Sequence, residues 1–211
     1  MIKPYKISVP KSTLNTIYKK VRAYPWNMMQ NVNGWEYGTN YNYLKKISQY
    51  WVSKYNWKKF ENKINSFKNY KTNVDGINLH FIIEKSKNPK SRPLLLLHGW
   101  PGSVIEFFDI IPKLAHPERF GGKIKDGFDV IVPSLPGFGF SGSPTKPIGP
   151  RKMAEILNKL MIENLGYKDY VAQGGDWGAT IANWLGYDHS KHCKAIHINC
   201  LTMRHPDGPQ S

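Results

Sequence analysis

From residue 94 onward, short continuous apolar runs alternate with segments of helical period, and that alternation leaves few folds open. Leu94–Leu97 is a continuous apolar run, Phe128–Val132 reads as the next buried strand, Tyr170–Gln173 as a short strand, and Lys194–Asn199 as the last. Runs without polar alternation suit strands buried on both faces. Between them, Val104 to Leu114 reads as a helix, and Met153, Ile156, Leu157, Leu160 and Met161 mark a strongly amphipathic one. Ala179–Tyr187 reads as another. The order β-α-β-α-β-α-β predicts an α/β fold, a parallel-rich sheet with helices on both faces. Upstream, Asp75-Gly76 is a hairpin signal before a strand at Leu79–Glu84, and Asn88-Pro89-Lys90 marks a turn.

Residues 1–72 have a different character and are expected to form a helical, aromatic meander, with residues 73–211 as the α/β part. Ser12 is placed to cap a helix carrying Leu14, Ile17 and Val21. A second stripe runs through Leu44, Ile47, Trp51 and Tyr55, and a third through Trp57, Phe60, Ile64 and Phe67. These stripes read as packing surfaces.

Thirty Lys and Arg against fifteen Asp and Glu give the 211-residue chain a formal charge of +15. The lysines are scattered in pairs such as Lys19-Lys20, Lys45-Lys46 and Lys58-Lys59 on the polar sides of helical segments, so no nucleic-acid footprint is indicated. A solvated basic surface is the first reading, and association with anionic membrane surfaces the second. Cys193 and Cys200 offer neither a disulfide framework nor metal-ligand spacing. No window is apolar enough for a membrane span, and no signal peptide opens the chain.

In sheets of this kind chemistry collects at the carboxyl ends of the strands. Three segments leave those ends: His98 to Ser103, Pro133 to Ser143, and Gly174 to Gly178. The last has the pattern Gly174-x-Asp176-x-Gly178 between a strand and a helix, the setting of a nucleophile elbow. A turn so tight needs very small outer residues and pushes the central side chain out at a helix N-terminus, where the dipole favours an anion. Aspartate there needs no base to become nucleophilic near neutrality. It suits displacement at an sp³ carbon, giving an ester that water must cleave. Aspartate is also a good helix cap, and a lone motif would leave that reading ahead.

The second motif shifts the balance. In His98-Gly99-Trp100-Pro101, glycine allows a sharp turn and proline fixes it, so the loop can aim a backbone N–H at the site. With the N–H of Trp177, the Trp100 N–H would make a two-donor oxyanion hole. The His98 side chain itself is expected to organise the loop.

Taken together, His98-Gly99-Trp100-Pro101-Gly102-Ser103, the run from Pro133 to Ser141, and Gly174-Gly175-Asp176-Trp177-Gly178 resemble the microsomal epoxide hydrolases, which include the insect juvenile hormone epoxide hydrolases. Tyr41 to Lys46 and Tyr50-Trp51 resemble that family's N-terminal meander. The resemblance implies an α/β-hydrolase fold, with Asp176 as nucleophile, Trp100 and Trp177 as oxyanion-hole donors, and His98, Gly99, Pro101, Gly174 and Gly178 shaping the loops. It implies epoxide opening to a vicinal diol, lid tyrosines as acids, a histidine paired with a carboxylate as base, and no metal or organic cofactor. It also implies a place at the endoplasmic reticulum membrane. Juvenile hormone and xenobiotic epoxides both remain open as substrates.

The family's lid tyrosines and histidine base come later than Ser211, so the chain is expected to be the front part of such an enzyme, with an exposed sheet edge and no steady turnover alone. By the same resemblance it is expected to begin close to where the family's soluble part starts, after the position of the anchor some members carry. Of the seven histidines, His80 and His98 precede the elbow, His116, His189 and His192 follow helices, His197 lies within the last strand, and beyond the elbow only His205 leaves a strand's carboxyl end. A haloalkane dehalogenase, which shares the aspartate elbow, and a non-catalytic relative are the competing readings.

Overall fold

The computed structural model describes residues 1–30 and 34–201. Two compact units emerge: Ile7–Ser66, and Met1–Lys6 together with Phe67 onward.

In the first unit, helix α1 spans Lys11–Arg22, α2 Tyr41–Ser53 and α3 Trp57–Asn65. Asn40 and Asn56 cap α2 and α3 by accepting from the N–H groups of Tyr43 and Lys59. Ser12 does not cap α1. The helix begins one residue earlier behind Pro10, and Ser12 lies inside its first turn. Tyr55 and Phe67, the last members of the two predicted stripes, fall beyond their helices. The stripes of α1 and α2 are not closed packing surfaces either: neither helix has a buried residue. Leu14, Ile17, Ile47 and Trp51 instead line an open apolar cavity of about 510 Å³. Buried Glu61 ties the unit together by accepting from the Val9 N–H, the Trp57 indole and Lys58.

The second unit is built on one seven-stranded sheet. Its strands are β1 Lys3–Pro4, β2 Asn69–Val74, β3 Ile77–Glu84, β4 Pro93–Leu97, β5 Asp129–Pro133, β6 Tyr170–Gly174 and β7 Cys193–Ile198. They lie in the order β1-β2-β3-β5-β4-β6-β7. The predicted parallel part is β5-β4-β6-β7, while β1, β2 and β3 run antiparallel to their neighbours. The reason for the antiparallel part is local. Asp75 and Gly76 both adopt positive φ, 50° and 81°, the requirement of the two-residue turn that folds β2 back on β3.

Every residue of β4 and β5 is buried, as the continuous apolar run of β4 demands. Helix α5, Pro150–Lys159, buries Met153, Ile156 and Leu157, and the chain widens into a π-turn at Leu160–Asn164 that buries Leu160 and Met161. Helix α6, Trp177–Asp188, packs on β6, β7 and α5. The single helix expected over 104–114 is instead a 3₁₀ turn at Val104–Phe107 and a short α4 at Ile111–Ala115. Pro112 explains the break: it lacks an N–H and is tolerated only in a helix's first turn, which is where it sits in α4. Strand β7 is the sheet edge among the described residues, and Lys194 to His197 on it are exposed.

Candidate active site

In the strand order the chain goes from β4 to β5 in one direction and from β6 to β7 in the other, which opens a crevice at the carboxyl ends of β4 and β6. These two strands pair in parallel with Leu97 opposite Gly174. That register sets the loop beginning at His98 beside the loop beginning at Gly175.

Asp176 sits at the bend with φ 51° and ψ −124°, backbone space that a side chain seldom occupies. Its neighbours make the bend feasible. A Cβ on Gly174 would lie 2.1 Å from the Gly178 carbonyl oxygen, and one on Gly178 would lie 2.1 Å from that of Leu97. The elbow therefore packs backbone on backbone, and the Asp176 side chain is left exposed in an open cleft of about 560 Å³.

The Trp100 N–H donates to Oδ1 of Asp176 at 2.8 Å. The Trp177 N–H also favours the charged form of this carboxylate. The Trp100 bond first, then the Trp177 N–H, hold the Asp176 carboxyl below its ordinary range, while burial works weakly the other way. The Trp100–Pro101 peptide is cis. Gly99 is required by proximity, since a Cβ there would lie 2.4 Å from Asp176 Oδ1.

His98 is fully buried and both its ring nitrogens are occupied. The Leu135 N–H donates to Nε2 at 3.1 Å, so the proton sits on Nδ1, which donates to the Gly99 carbonyl at 3.0 Å. Burial pushes its pKa down, and the ring acts as a neutral strut between two loops.

The structure thus brings together Asp176, Trp100, Trp177, His98, Gly99, Pro101, Gly174 and Gly178. An ionised carboxylate held by two amides can attack an electrophilic carbon. The same amides can then receive the charge that develops on the carbonyl oxygen of the resulting ester.

Among the described residues no histidine lines the cleft. His80 is buried between Asn69 and Ser134, His116 pairs with Glu84 at 2.8 Å, and His192 bonds the Lys168 carbonyl. His205 lies outside the described residues.

Three cleft residues were not anticipated from sequence: Glu106, Asn199 and Cys200. Asn199 follows β7 at its carboxyl end, so the rule that found the other loops could have found it. Its amide oxygen packs against Gly175, where a Cβ would lie 2.3 Å away. Glu106 was hidden inside a helix that does not form as expected. Cys193 and Cys200 are both free, the first buried and the second exposed. Among the described residues no group of three His, Cys, Asp or Glu side chains could hold a metal ion.

A family model described as the epoxide hydrolase N terminus matches residues 2–107, and one described as the alpha/beta hydrolase fold matches residues 92–210. Epoxide hydrolase 1 of Oryctolagus cuniculus is 37% identical over 205 residues, covering 94% of this chain and 44% of its own length. Juvenile hormone epoxide hydrolase 1 of Ctenocephalides felis is 36% identical over 209 residues, covering 97% of this chain and 44% of its own. The crystal structure of juvenile hormone epoxide hydrolase from the silkworm Bombyx mori aligns with a TM-score of 0.85 at 32% identity, covering 98% of this chain and 49% of that one. The chain therefore spans somewhat less than half the length of these relatives.

Proposed function

The chain belongs to the epoxide hydrolase family of the α/β-hydrolase fold, and from that premise we propose that it opens epoxides to vicinal diols through an ester of Asp176. The observation that carries the reading is the 2.8 Å bond from the Trp100 N–H to the Asp176 carboxylate. It ties the two sequence motifs into one site with a nucleophile and its charge-stabilising donors.

In the first step a carboxylate oxygen bonds to an epoxide carbon as the ring C–O bond breaks, and the ring oxygen takes up a proton. In the second, water adds to the ester carbonyl carbon. The resulting oxyanion is held by the Trp100 and Trp177 N–H groups, and collapse releases the diol and restores the carboxylate. The resemblance assigns the proton transfers to tyrosines and a histidine, and no described tyrosine or histidine lines the cleft.

The match of residues 2–107 to an epoxide hydrolase model weighs against the haloalkane reading. Several relatives are named for juvenile hormone, which makes terpenoid epoxides one substrate class to test beside aryl and lipid epoxides. Residence at the endoplasmic reticulum membrane is proposed from the family resemblance. Among the described residues no helix is long and apolar enough to cross a membrane.

The test is epoxide consumption at stoichiometric protein, with styrene oxide as probe. The protein is expected to consume epoxide where Asp176→Ala does not. Equal consumption by both would overturn the proposal.

A further inference from the structure

We propose that Glu106 is a positioning residue of this same site: its carboxylate, clamped by the oxyanion loop beside Asp176, drives charge off Asp176 and into the ester. The inference rests on the Asp176 ester described above and adds a second carboxylate to it.

The geometry is specific. Glu106 lies in the 3₁₀ turn Val104–Phe107 directly after the loop, and its side chain folds back over it. A Cβ on Gly102 would lie 1.4 Å from Glu106 Oε1, so the carboxylate rests on the bare backbone of that glycine. The backbone N–H groups of Ser103 and then Gly99 favour its charged form, against burial. The next amide along, that of Trp100, donates to Asp176. One loop therefore holds both acids, Glu106 against Gly102 and Asp176 on the Trp100 amide, and both acids line the same cleft.

No described residue of that cleft is cationic, although the chain as a whole carries +15. Both carboxylates line the cleft, and among the described residues no cationic side chain lines it beside them. Burial pushes the Glu106 carboxyl up, the Ser103 N–H pulls against it, and the charge of Asp176 pushes it up further.

The effect on the two chemical steps has opposite sign. When Asp176 bonds to the epoxide carbon, its negative charge moves to the ring oxygen and is neutralised there by a proton. Repulsion from Glu106 is relieved, so its charge favours ester formation. When water adds to the ester, negative charge returns to the carbonyl oxygen between the Trp100 and Trp177 amides. Glu106 opposes that return. A purely structural clamp on the loop would instead support the oxyanion hole, and its loss would slow both steps.

The experiment follows single turnovers of styrene oxide by stopped-flow tryptophan fluorescence, since Trp100 and Trp177 flank the reacting carboxylate. Rapid-quench mass measurement identifies the ester phase. Glu106→Gln keeps an acceptor for the loop amides and removes the charge. It is expected to slow ester formation roughly tenfold and to leave ester hydrolysis as fast as in the parent protein or faster. Glu106→Asp keeps the charge and is expected to stay within about threefold of the parent in ester formation. Equal slowing of both steps in Glu106→Gln, or no change in either, would overturn the inference while leaving the Asp176 ester intact. Absence of any ester in the parent protein would sink the proposed function and this inference with it.

Discussion

Trp100 and Asp176 are 76 positions apart in the chain, yet the amide of one lies 2.8 Å from the carboxylate of the other. The parallel pairing of Leu97 with Gly174 produces this contact, because the two loops leave adjacent strands at the same level. Gly99 then lets the first loop pass directly against the Asp176 side chain. Sheet register, rather than either loop alone, sets the distance on which the chemistry depends.

Three glycine substitutions separate backbone freedom, close packing and site geometry. Gly76→Ala meets no atom within 4 Å, so only its positive φ of 81° is penalised, at about 1 kcal/mol. Gly178→Ala drives a Cβ into the Leu97 carbonyl and is expected to cost roughly 2–4 kcal/mol. Gly99→Ala meets the Asp176 side chain, and its main effect is expected on ester formation, with a loss of at least about a hundredfold. Urea unfolding together with single-turnover rates would order the three.

Ester formation should have an acid limb in two parts. As pH falls, Glu106 takes a proton first, because its carboxyl is pushed up, and the rate drops by a shallow step. Asp176 takes one last, below the usual carboxylate range, because the Trp100 and Trp177 amides favour its anion. Only then is the reaction lost. In Glu106→Gln the shallow step should vanish and the steep one remain, as measured by pre-steady-state rates against pH.

Stability should fall in mild acid through His80. Burial, aided by the charge of Lys71, pushes its pKa from 6.5 down to about 3. Between those values the unfolded chain binds a proton that the folded chain refuses, so acid favours unfolding by roughly 1.4 kcal/mol per pH unit. Buried His98 acts in the same direction. His80→Gln is expected to be less stable at neutral pH, since it loses ring bonds to Asn69 and Ser134, but to show a flatter pH dependence between about 6.5 and 4. Urea titrations at several pH values would show it.

Much of this architecture could be read from residues alone where one local cause dominates. The leucines of β4 cannot be anything but buried, Asp75-Gly76 fixes its turn by positive φ, and the α5 stripe buries the five residues its period singles out. Both outer glycines of the elbow were legible because the turn leaves no room for a Cβ. Features set by distant or competing causes were not. Pro112 outweighed the apolar period of 104–114, the α1 and α2 stripes face an open cavity, and Glu106 enters the cleft only because its turn is 3₁₀ and its side chain folds back over Gly102. Asn199 was within reach of the strand-end rule, since it follows β7, and the β6–β7 register then sets it against Gly175.

The central claim is a covalent one, and mass spectrometry addresses it directly. The protein is mixed with styrene oxide, quenched in acid and digested. The account predicts a mass increase equal to one epoxide on the peptide holding Asp176, absent from Asp176→Ala. An adduct that maps to any other residue, or that persists in Asp176→Ala, would contradict it.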